Sequence, residues 1–591
     1  MGSRSRLIVL RSVAVLLPVL AGSGAAALFL QYSSAAGLTV YAYLSAVLLA
    51  LSTAWLAWGA GLSLIGLWPA RRTTAAAQPI RGKTAILMPV CNEDPAATFA
   101  RVAAMMEALH DAPARIDFAI LSDSSRPEVI AGEAYWFNRL MAETGGEGRL
   151  FYRRRSQNTG RKAGNIADFF RRSGGAYDFA LILDADSLMD AETILEMIRR
   201  MEAEPRLGLL QTLPVVVRAQ SIFGRAMQFA AGFYSPVFAR GLARLQGAAG
   251  PFWGHNAIVR TAAWAGSCGL PELDGPPPFG GHILSHDIVE AALLARAGWI
   301  VRLDPDLGGS YEEGPENLIE HAKRDRRWCQ GNLQHSRVIG AAGLPGWSRM
   351  SLGLGIMAYI APVFWGGFLI SSLLDRANLP PPDYFPDPHQ FFPVFPSDET
   401  AKAIGLAIGI VGLLIMPKLL IVIEAAMDGR LRQFGRPGPV VLSAISDLAL
   451  SSLIAPILMA FQTRSVLQVL RGADGGWPAN RRGEARLTVT EAFEACHFMV
   501  TVGLLGLFAS WFWIPALLPW LLPVLGPMIL SPLLIAWTSR PSAGSAVFGM
   551  PEERALPPIL ARHDAILARW GQSSGAAAGA DTQPDQGTAD A

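Results

Sequence analysis

Phe179-Ala-Leu-Ile-Leu-Asp-Ala-Asp-Ser187 is a short apolar run that stops at two carboxylates one residue apart. The run has the length of a buried strand rather than of a helix. Four similar runs stand around it: Thr84–Val90, Ile116–Ser122, Leu150–Arg153 and Leu207–Thr212. The stretches between them, Pro95–Leu109, Arg161–Arg172 and Ala191–Glu202, carry amphipathic helical patterns. Buried strands alternating with helices predict a mostly parallel sheet in an α/β layer fold. Such sheets bind ligands at the carboxyl ends of their strands, so functional residues should follow the apolar runs.

They do. Ile86–Val90 runs into Cys91-Asn92-Glu93, Phe118–Leu121 into Ser122-Asp123-Ser124, and Leu181–Leu183 into Asp184-Ala185-Asp186. Two carboxylates so close at a strand end suit magnesium or manganese, which takes one or two protein carboxylates and completes its shell with water and phosphate. Further on, Ser285-His286-Asp287 opens a helical pattern, Ile288–Ala295. Arg324-Asp325-Arg326-Arg327-Trp328 then offers guanidinium forks for a diphosphate and a flat face for stacking. His282 and His286 are four residues apart, but no third ligand stands near them and they are not read as a metal site.

The flanks of this block belong to another solvent. Only 17% of the 591 residues are charged, against about 25% in soluble domains, and 51% are hydrophobic, with a mean hydropathy of +0.30. Ser12–Ala70 contains no charge at all. A span needs about 20 apolar residues, so the segment 1–70 reads as two spans with a turn near Ser33–Gly37; a cleaved signal peptide would not be followed at once by a second apolar stretch. Arg4, Arg6 and Arg11 before it and Arg71, Arg72, Arg81 and Lys83 after it predict that both flanks, and the block 71–350, are cytoplasmic.

The region 351–539 returns to the membrane. Ser351–Leu374 and Ala403–Ile423 each read as one span, joined by the Pro- and aromatic-rich, acidic Asp375–Thr400 on the far side. His497–Ser539, uncharged, reads as two more with a turn at Pro515 or Pro519. Pro439–Thr463 resists the scheme: it is long enough to cross but contains Asp447, and a basic loop around 464–495 follows it. It is either a re-entrant or interfacial segment, or two short spans with Val466–Leu470, which leaves six spans and up to two more. The stretch 540–591 reads as a cytoplasmic tail, disordered from about Gly571, where Gly, Ala and Ser dominate.

Fifty basic against 48 acidic residues leave a charge of +2, which does not point to a nucleic-acid partner. Cys91, Cys268, Cys329 and Cys496 form no Cys-x-x-Cys pair and read as reduced, isolated thiols.

Taken in order, Pro89-Val90-Cys91-Asn92-Glu93, Asp123, Lys162-Ala163-Gly164-Asn165, Asp184-Ala185-Asp186, Gln211-Thr212, Asp287 and Arg327-Trp328 resemble the processive, membrane-embedded family 2 glycosyltransferases. The layout of spans is similar to that of the cellulose synthases. Within that superfamily Leu181–Ser187, Gly250–Asn256, Tyr311–Asn317 and Arg324–Gln334 resemble the osmoregulated periplasmic glucan glucosyltransferases more closely. The cellulose synthase form would show Thr-Glu-Asp at Ser285-His286-Asp287 and Gln in place of Arg324. The chain is short for the subfamily, with little N-terminal extension and no C-terminal domain for a cyclic dinucleotide.

The resemblance implies a GT-A-like, Rossmann-type mixed sheet inserted in an all-α polytopic membrane domain of the bacterial inner membrane, with both termini cytoplasmic. It implies transfer of glucose from UDP-glucose to a growing β-1,2-linked glucan, and that the same chain can move its product. Asp287 would be the base, Asp186 with Asp184 would hold Mg2+ (or Mn2+), and Arg327 and Trp328 would serve the leaving diphosphate and the acceptor sugar. Asn92, Glu93, Asp123, Lys162, Asn165, Asp184, Gln211 and Arg324 would bind the UDP-sugar, and His255, Asn256 and Trp328 the acceptor. Arg486–Thr490 distantly resembles a gating loop. Trp365, Trp511, Trp513 and Trp520 lie in predicted spans, as interfacial belts or as sugar platforms in a channel. The subfamily also suggests an acyl carrier protein as partner. Rival readings are a β-1,4 synthase, a non-processive transferase using a lipid phosphate acceptor, and a transporter with a degenerate nucleotide-sugar fold.

Overall fold

Two long apolar helices, α1 (Ser3–Ser34) and α2 (Val40–Gly66), precede the catalytic block and meet at the turn expected near Ser33–Gly37. The computed structural model describes residues 3–35, 37–69, 79–379, 384, 389, 391–393, 399–473, 486–542 and 544–580. Arg71 and Arg72, read above as an inner flank, and residues 474–485 of the basic loop lie outside the described residues. Arg11 donates to the carbonyls of Leu245 and Gln246 (both 2.8 Å) and lies 4.1 Å from the Trp347 ring, so α1 begins on the side of the block.

The first half of the block alternates as expected: β1 (Lys83–Val90), α3 (Pro95–Ala108), β2 (Arg115–Ser122), α4 (Pro127–Thr144), β3 (Leu150–Arg154), α5 (Arg161–Ser173) and β4 (Phe179–Ile182). Then come β5 (Leu188–Met189), α6 (Ala191–Ala203), β6 (Leu207–Gln211), β7 (Val215–Val217), α7 (Ile222–Phe233), α8 (Ser235–Gln246), β8 (Ala257–Arg260) and α9 (Thr261–Ser267). α10 (His286–Arg296), β9 (Ile300–Leu303), β10 (Ser310–Glu313) and α11 (Leu318–Gln334) complete it.

The main sheet has the order β3-β2-β1-β4-β8-β6-β9, and β5-β10-β7 form a second, small sheet. β8 runs antiparallel to both β4 and β6, so the sheet is mixed. Alternate residues of β1 serve opposite faces: Ile86 and Met88 pack with Phe99, Val102 and Met105 of α3, while Ala85 and Leu87 pack with Ile166 and Phe169 of α5. The chain turns right from β1 to β2 and β3 and left to β4. The crevice of an α/β sheet opens at such a reversal, between the ends of β1 and β4.

Beyond the block stand α12 (Gly346–Ala377), α13 (Thr400–Met427), α14 (Leu431–Phe434), α15 (Pro437–Leu470), α16 (Val489–Trp513), α17 (Leu518–Ile529), α18 (Ser531–Thr538), α19 (Pro551–Arg554) and α20 (Pro558–Ala580). By length and composition α1, α2, α12, α13, α15 and α16 are six candidate spans among the described residues; α17 and α18, bent by 58° at their junction, make a seventh as a pair.

α15 is the stretch that the sequence left ambiguous. It is one continuous helix rather than two short spans, and both its ends touch the catalytic block. Phe434, just before it, packs on Phe229 and Phe233 of α7 (ring centroids 6.1 and 5.1 Å), and Arg326 of α11 donates to the carbonyl of Ala473 just after it (2.8 Å). α7 and α11 touch each other through Phe223 and His321, so both ends of α15 lie against neighbouring parts of the block. Asp447 survives on it because Lys418 of α13 donates to its carboxylate at 2.8 Å; an unpaired charge there would cost several kcal/mol.

Two further stretches bear on the sequence reading. Trp511, Trp513 and Trp520 are largely exposed around the turn between α16 and α17, which suits the belt, while Trp365 stacks on Phe368 within a helix-packing cluster. After Arg540 the helix extends beyond the limit expected near Gly571: α20 runs to Ala580 and buries Ile559, Leu560, Ile566 and Trp570 in the same core as α3.

Candidate functional site

The crevice between β1 and β4 is a cleft of about 420 Å³. Its floor is the Asp184-Ala185-Asp186 turn, its walls are Asn92, Asp123 and Lys162 on one side and Trp253–His255 and Asp287 on the other, and α11 closes it with Arg324, Arg327 and Trp328. Residues spread over some 240 positions of sequence thus converge on one space.

Asp123 ends β2 and is almost wholly buried. Arg155, just past β3, grips its carboxylate in a fork, Nε to Oδ1 and Nη2 to Oδ2, both 2.7 Å. This geometry aims and neutralises the aspartate, and Arg155 escaped the sequence reading because its partner lies on another strand. Asn92 adopts φ +63, and its side-chain oxygen accepts from the backbone N–H groups of Ser125 and Arg126 (both 3.0 Å), tying the ends of β1 and β2 together. Asparagine tolerates that left-handed conformation better than most residues. Glu93 accepts from the Cys91 backbone N–H.

Asp184 faces Lys162, whose Nζ also donates to the Gly254 carbonyl at 2.7 Å, and lies 3.7 Å from His255 Nδ1. Burial pushes the Asp184 carboxyl up, but Lys162 and then His255 outweigh it and hold the group well below the usual carboxylate range. His255, expected at the acceptor, lines the cleft beside Asp184: its Nε2 donates to Glu312 at 2.6 Å and its Nδ1 faces the Trp253 carbonyl at 3.1 Å. Burial lowers its pKa, and Asp184 and Glu312 more than reverse this, raising it to about 9. Glu312 was quoted in the Tyr311–Asn317 stretch, but with no role; β10 brings it to the cleft.

Three of the expected binding residues spend side-chain atoms on the protein itself. Gln211 is fully buried and spends its amide on the loop: Nε2 donates to the carbonyls of Thr212 and His255 (both 3.0 Å) and Oε1 accepts from the Trp253 N–H (3.0 Å). Asn256 is also fully buried, at φ +50, and donates to Ser310 Oγ at 2.8 Å. Neither reaches the cleft; both shape the Trp253–Asn256 turn. Asn165 borders the cleft, yet its side chain donates to the Leu121 carbonyl at 2.9 Å and accepts from Arg153.

Asp287 sits in the first turn of α10. Gly254, at φ +86, approaches it so closely that a Cβ there would stand 3.5 Å from its Oδ2. Its carboxylate accepts no hydrogen bond from the described residues, which leaves its lone pairs to the cleft. On α11, Arg324 lies one turn before Trp328 and stacks over its ring at 4.6 Å, while the ring itself is 44% exposed. This leaves its other face to the cleft mouth.

A divalent cation fits the donor set only in part. No cluster of three or more His, Cys, Asp and Glu exists among the described residues. Asp184 and Asp186 would supply two oxygen ligands, the number that magnesium takes from a protein when a diphosphate completes its shell.

Family models for glycosyl transferase family 2 and for glycosyl transferase family group 2 match residues 85–264 and 179–380. The chain is 59% identical, over 95% of each chain, to a protein of Cereibacter sphaeroides named glucans biosynthesis glucosyltransferase H. Proteins of the same name from Vibrio cholerae and Rhodopseudomonas palustris are each 41% identical, over 89% and 83% of this chain and 74% and 68% of their own. Among solved structures it is similar to the mannosyltransferase PcManGT from Pyrobaculum calidifontis in complex with GDP-Man and Mn2+, at 16% identity and a TM-score of 0.42, over 64% of this chain and 97% of that one.

Proposed function

We propose, for a chain that belongs to the glucans biosynthesis glucosyltransferase H family of family 2 glycosyltransferases, that the cleft transfers glucose from UDP-glucose to the end of a growing β-1,2-linked glucan. The observation that supports this most is the convergence of Asp287, the Asp184–Asp186 turn and the Arg324–Trp328 helix face on one space. The acceptor hydroxyl gives its proton to Asp287, its oxygen bonds to the anomeric carbon from the open side, and the bond to the diphosphate oxygen breaks, which inverts the centre. Asp123, aimed by Arg155, and Asn92 with Glu93 face the uridine. Lys162, His255, Arg324 and Arg327 surround the diphosphate with positive charge, the usual way to stabilise a charged leaving group. Magnesium or manganese, held by Asp184 and Asp186, would add its charge to that of these residues. Trp328 offers the acceptor sugar a flat apolar face.

With Arg4, Arg6, Arg11, Arg430, Arg432 and Arg436 clustered at the inner ends of the spans, the catalytic block and both termini are assigned to the cytoplasm and the helices to the inner membrane. The test uses the full chain in lipid vesicles with radiolabelled UDP-glucose and magnesium, with and without added acyl carrier protein. A polymer cut by β-1,2-glucanase and absent with Asp287→Asn is expected. UDP release with a polymer of another linkage would overturn the glucan assignment, and UDP release that survives Asp287→Asn would overturn the base.

A further inference from the structure

β10 ends in two neighbouring carboxylates, and strand geometry sends them to opposite faces. On one face Glu312 accepts from His255, which stands against Asp184. On the other, Glu313 accepts from Arg101 Nη2 at 2.6 Å, and the Nη1 of the same guanidinium donates to the Ala185 carbonyl at 3.1 Å. One strand end thus holds the Asp184-Ala185-Asp186 turn from both sides. Arg101 is 5% exposed, so its charge depends on Glu313 as partner.

Glu313 has a second arginine. Arg218, past the end of β7, stands 3.5 Å from it and reaches α20: its Nη2 donates to His563 Nδ1 at 2.9 Å and to the Leu560 carbonyl at 3.4 Å, and pairs with Asp564. Arg218 is held at φ +65, a conformation that a long side chain adopts only where its surroundings enforce it. His563 donates in turn from Nε2 to the Ala97 carbonyl of α3 at 3.4 Å. The contacts form one chain: α20, Arg218, Glu313, Arg101, Ala185 carbonyl.

We propose that the C-terminal helix α20 sets the position of the Asp184–Asp186 turn through this chain, with Arg218, Glu313 and Arg101 as positioning residues for the donor site; this rests on the reading of that turn as the place of the diphosphate and its cation. The physical ground is that the turn lies past the end of β4, outside the sheet's own hydrogen bonds. Its local support is Ser187, whose N–H donates to the Asp184 carbonyl (3.0 Å) and whose hydroxyl accepts from the Asp184 N–H (2.9 Å). Arg101 supplies the outside fixed point, and α20 orders the arginine pair behind it.

The test uses the full-length protein in detergent or lipid, with Asp564→Lys, Glu313→Gln and the double variant. Asp564 is about half exposed, so its replacement leaves the core intact; Asp564→Asn, which keeps the size, is the second variant should the reversal perturb folding. Calorimetric titration with Mn2+ and UDP reads the site, and amide hydrogen exchange over residues 183–189 reads the turn without any ligand. Asp564→Lys should weaken Mn2+–UDP binding about 3- to 10-fold, speed exchange in the turn, and add nothing to Glu313→Gln in the double variant. Unchanged binding and exchange with Asp564 replaced and the fold intact, or two effects that simply add, would overturn the proposal. Wild-type protein that binds no UDP would instead sink the donor-site reading, while the exchange comparison still decides whether α20 governs the turn.

Discussion

Replacing Trp570 by alanine tests whether α20 belongs to the catalytic block. The indole is buried to 1% exposure, stacks on Trp136 with centroids 4.6 Å apart and planes at 24°, and donates Nε1–H to Glu143 at 2.8 Å. Truncating a core tryptophan costs about 3–5 kcal/mol, and the stack accounts for about 1 kcal/mol of such losses. Glu143 is not orphaned, because Arg139 (2.8 Å) and Arg569 (3.2 Å) still meet it, so about 4 kcal/mol is expected. At roughly 2–4 °C per kcal/mol for a domain of this size, the melting of the block should fall by about 10 °C, with faster proteolysis within Pro558–Trp570. The docking also carries a pH signature. Burial first, then Arg101 and Arg218, push His563 down to about 4, so between that value and its ordinary 6.5 the undocked chain binds the extra proton. Stability is therefore full above pH 6.5 and is lost as pH falls, by roughly 1 kcal/mol for the first unit. A Trp570→Ala protein that melts within 2 °C of wild type and shows no new cleavage near α20 would refute the reasoning.

Two more outcomes follow from buried charge. Lys418→Met should destabilise the membrane region by about 3–5 kcal/mol by leaving Asp447 unpaired, and Lys418→Met with Asp447→Leu should recover most of it; unfolding in mixed micelles reads both, and an equal loss in single and double variants would contradict the pairing. Arg155→Lys replaces a fork on Asp123 by a single contact and should raise KM for the nucleotide sugar about tenfold while sparing kcat, measured by UDP release.

The sites that the sequence alone could locate are those where chemistry follows a strand. Asp123 and Asp184–Asp186 are legible because an apolar run of strand length ends at them, and Asp287 because a helical pattern begins there. Gln211 follows the same rule yet spends its amide on the backbone of a neighbouring turn, as Asn256 of the Gly250–Asn256 loop spends its own on Ser310. Arg155, Glu312, Arg101 and Glu313 carry no such local mark; each matters only through a partner at least 32 residues away in sequence.

The membrane region divides in the same way. Missing charge over Ser12–Ala70 and His497–Ser539 determines the spans by itself, because hydrocarbon rejects charge whatever the fold. What satisfies Asp447 on Pro437–Leu470, and what α20 does, were open in one dimension. A helix with one aspartate is tolerable or ruinous according to whether a lysine meets it, and an amphipathic tail is loose or core according to the surface offered to it. Lys418 and the Trp136 face of α4 supply those answers, and only the tertiary structure brings them within reach, since a contact energy depends on distance in space and sequence order does not record it.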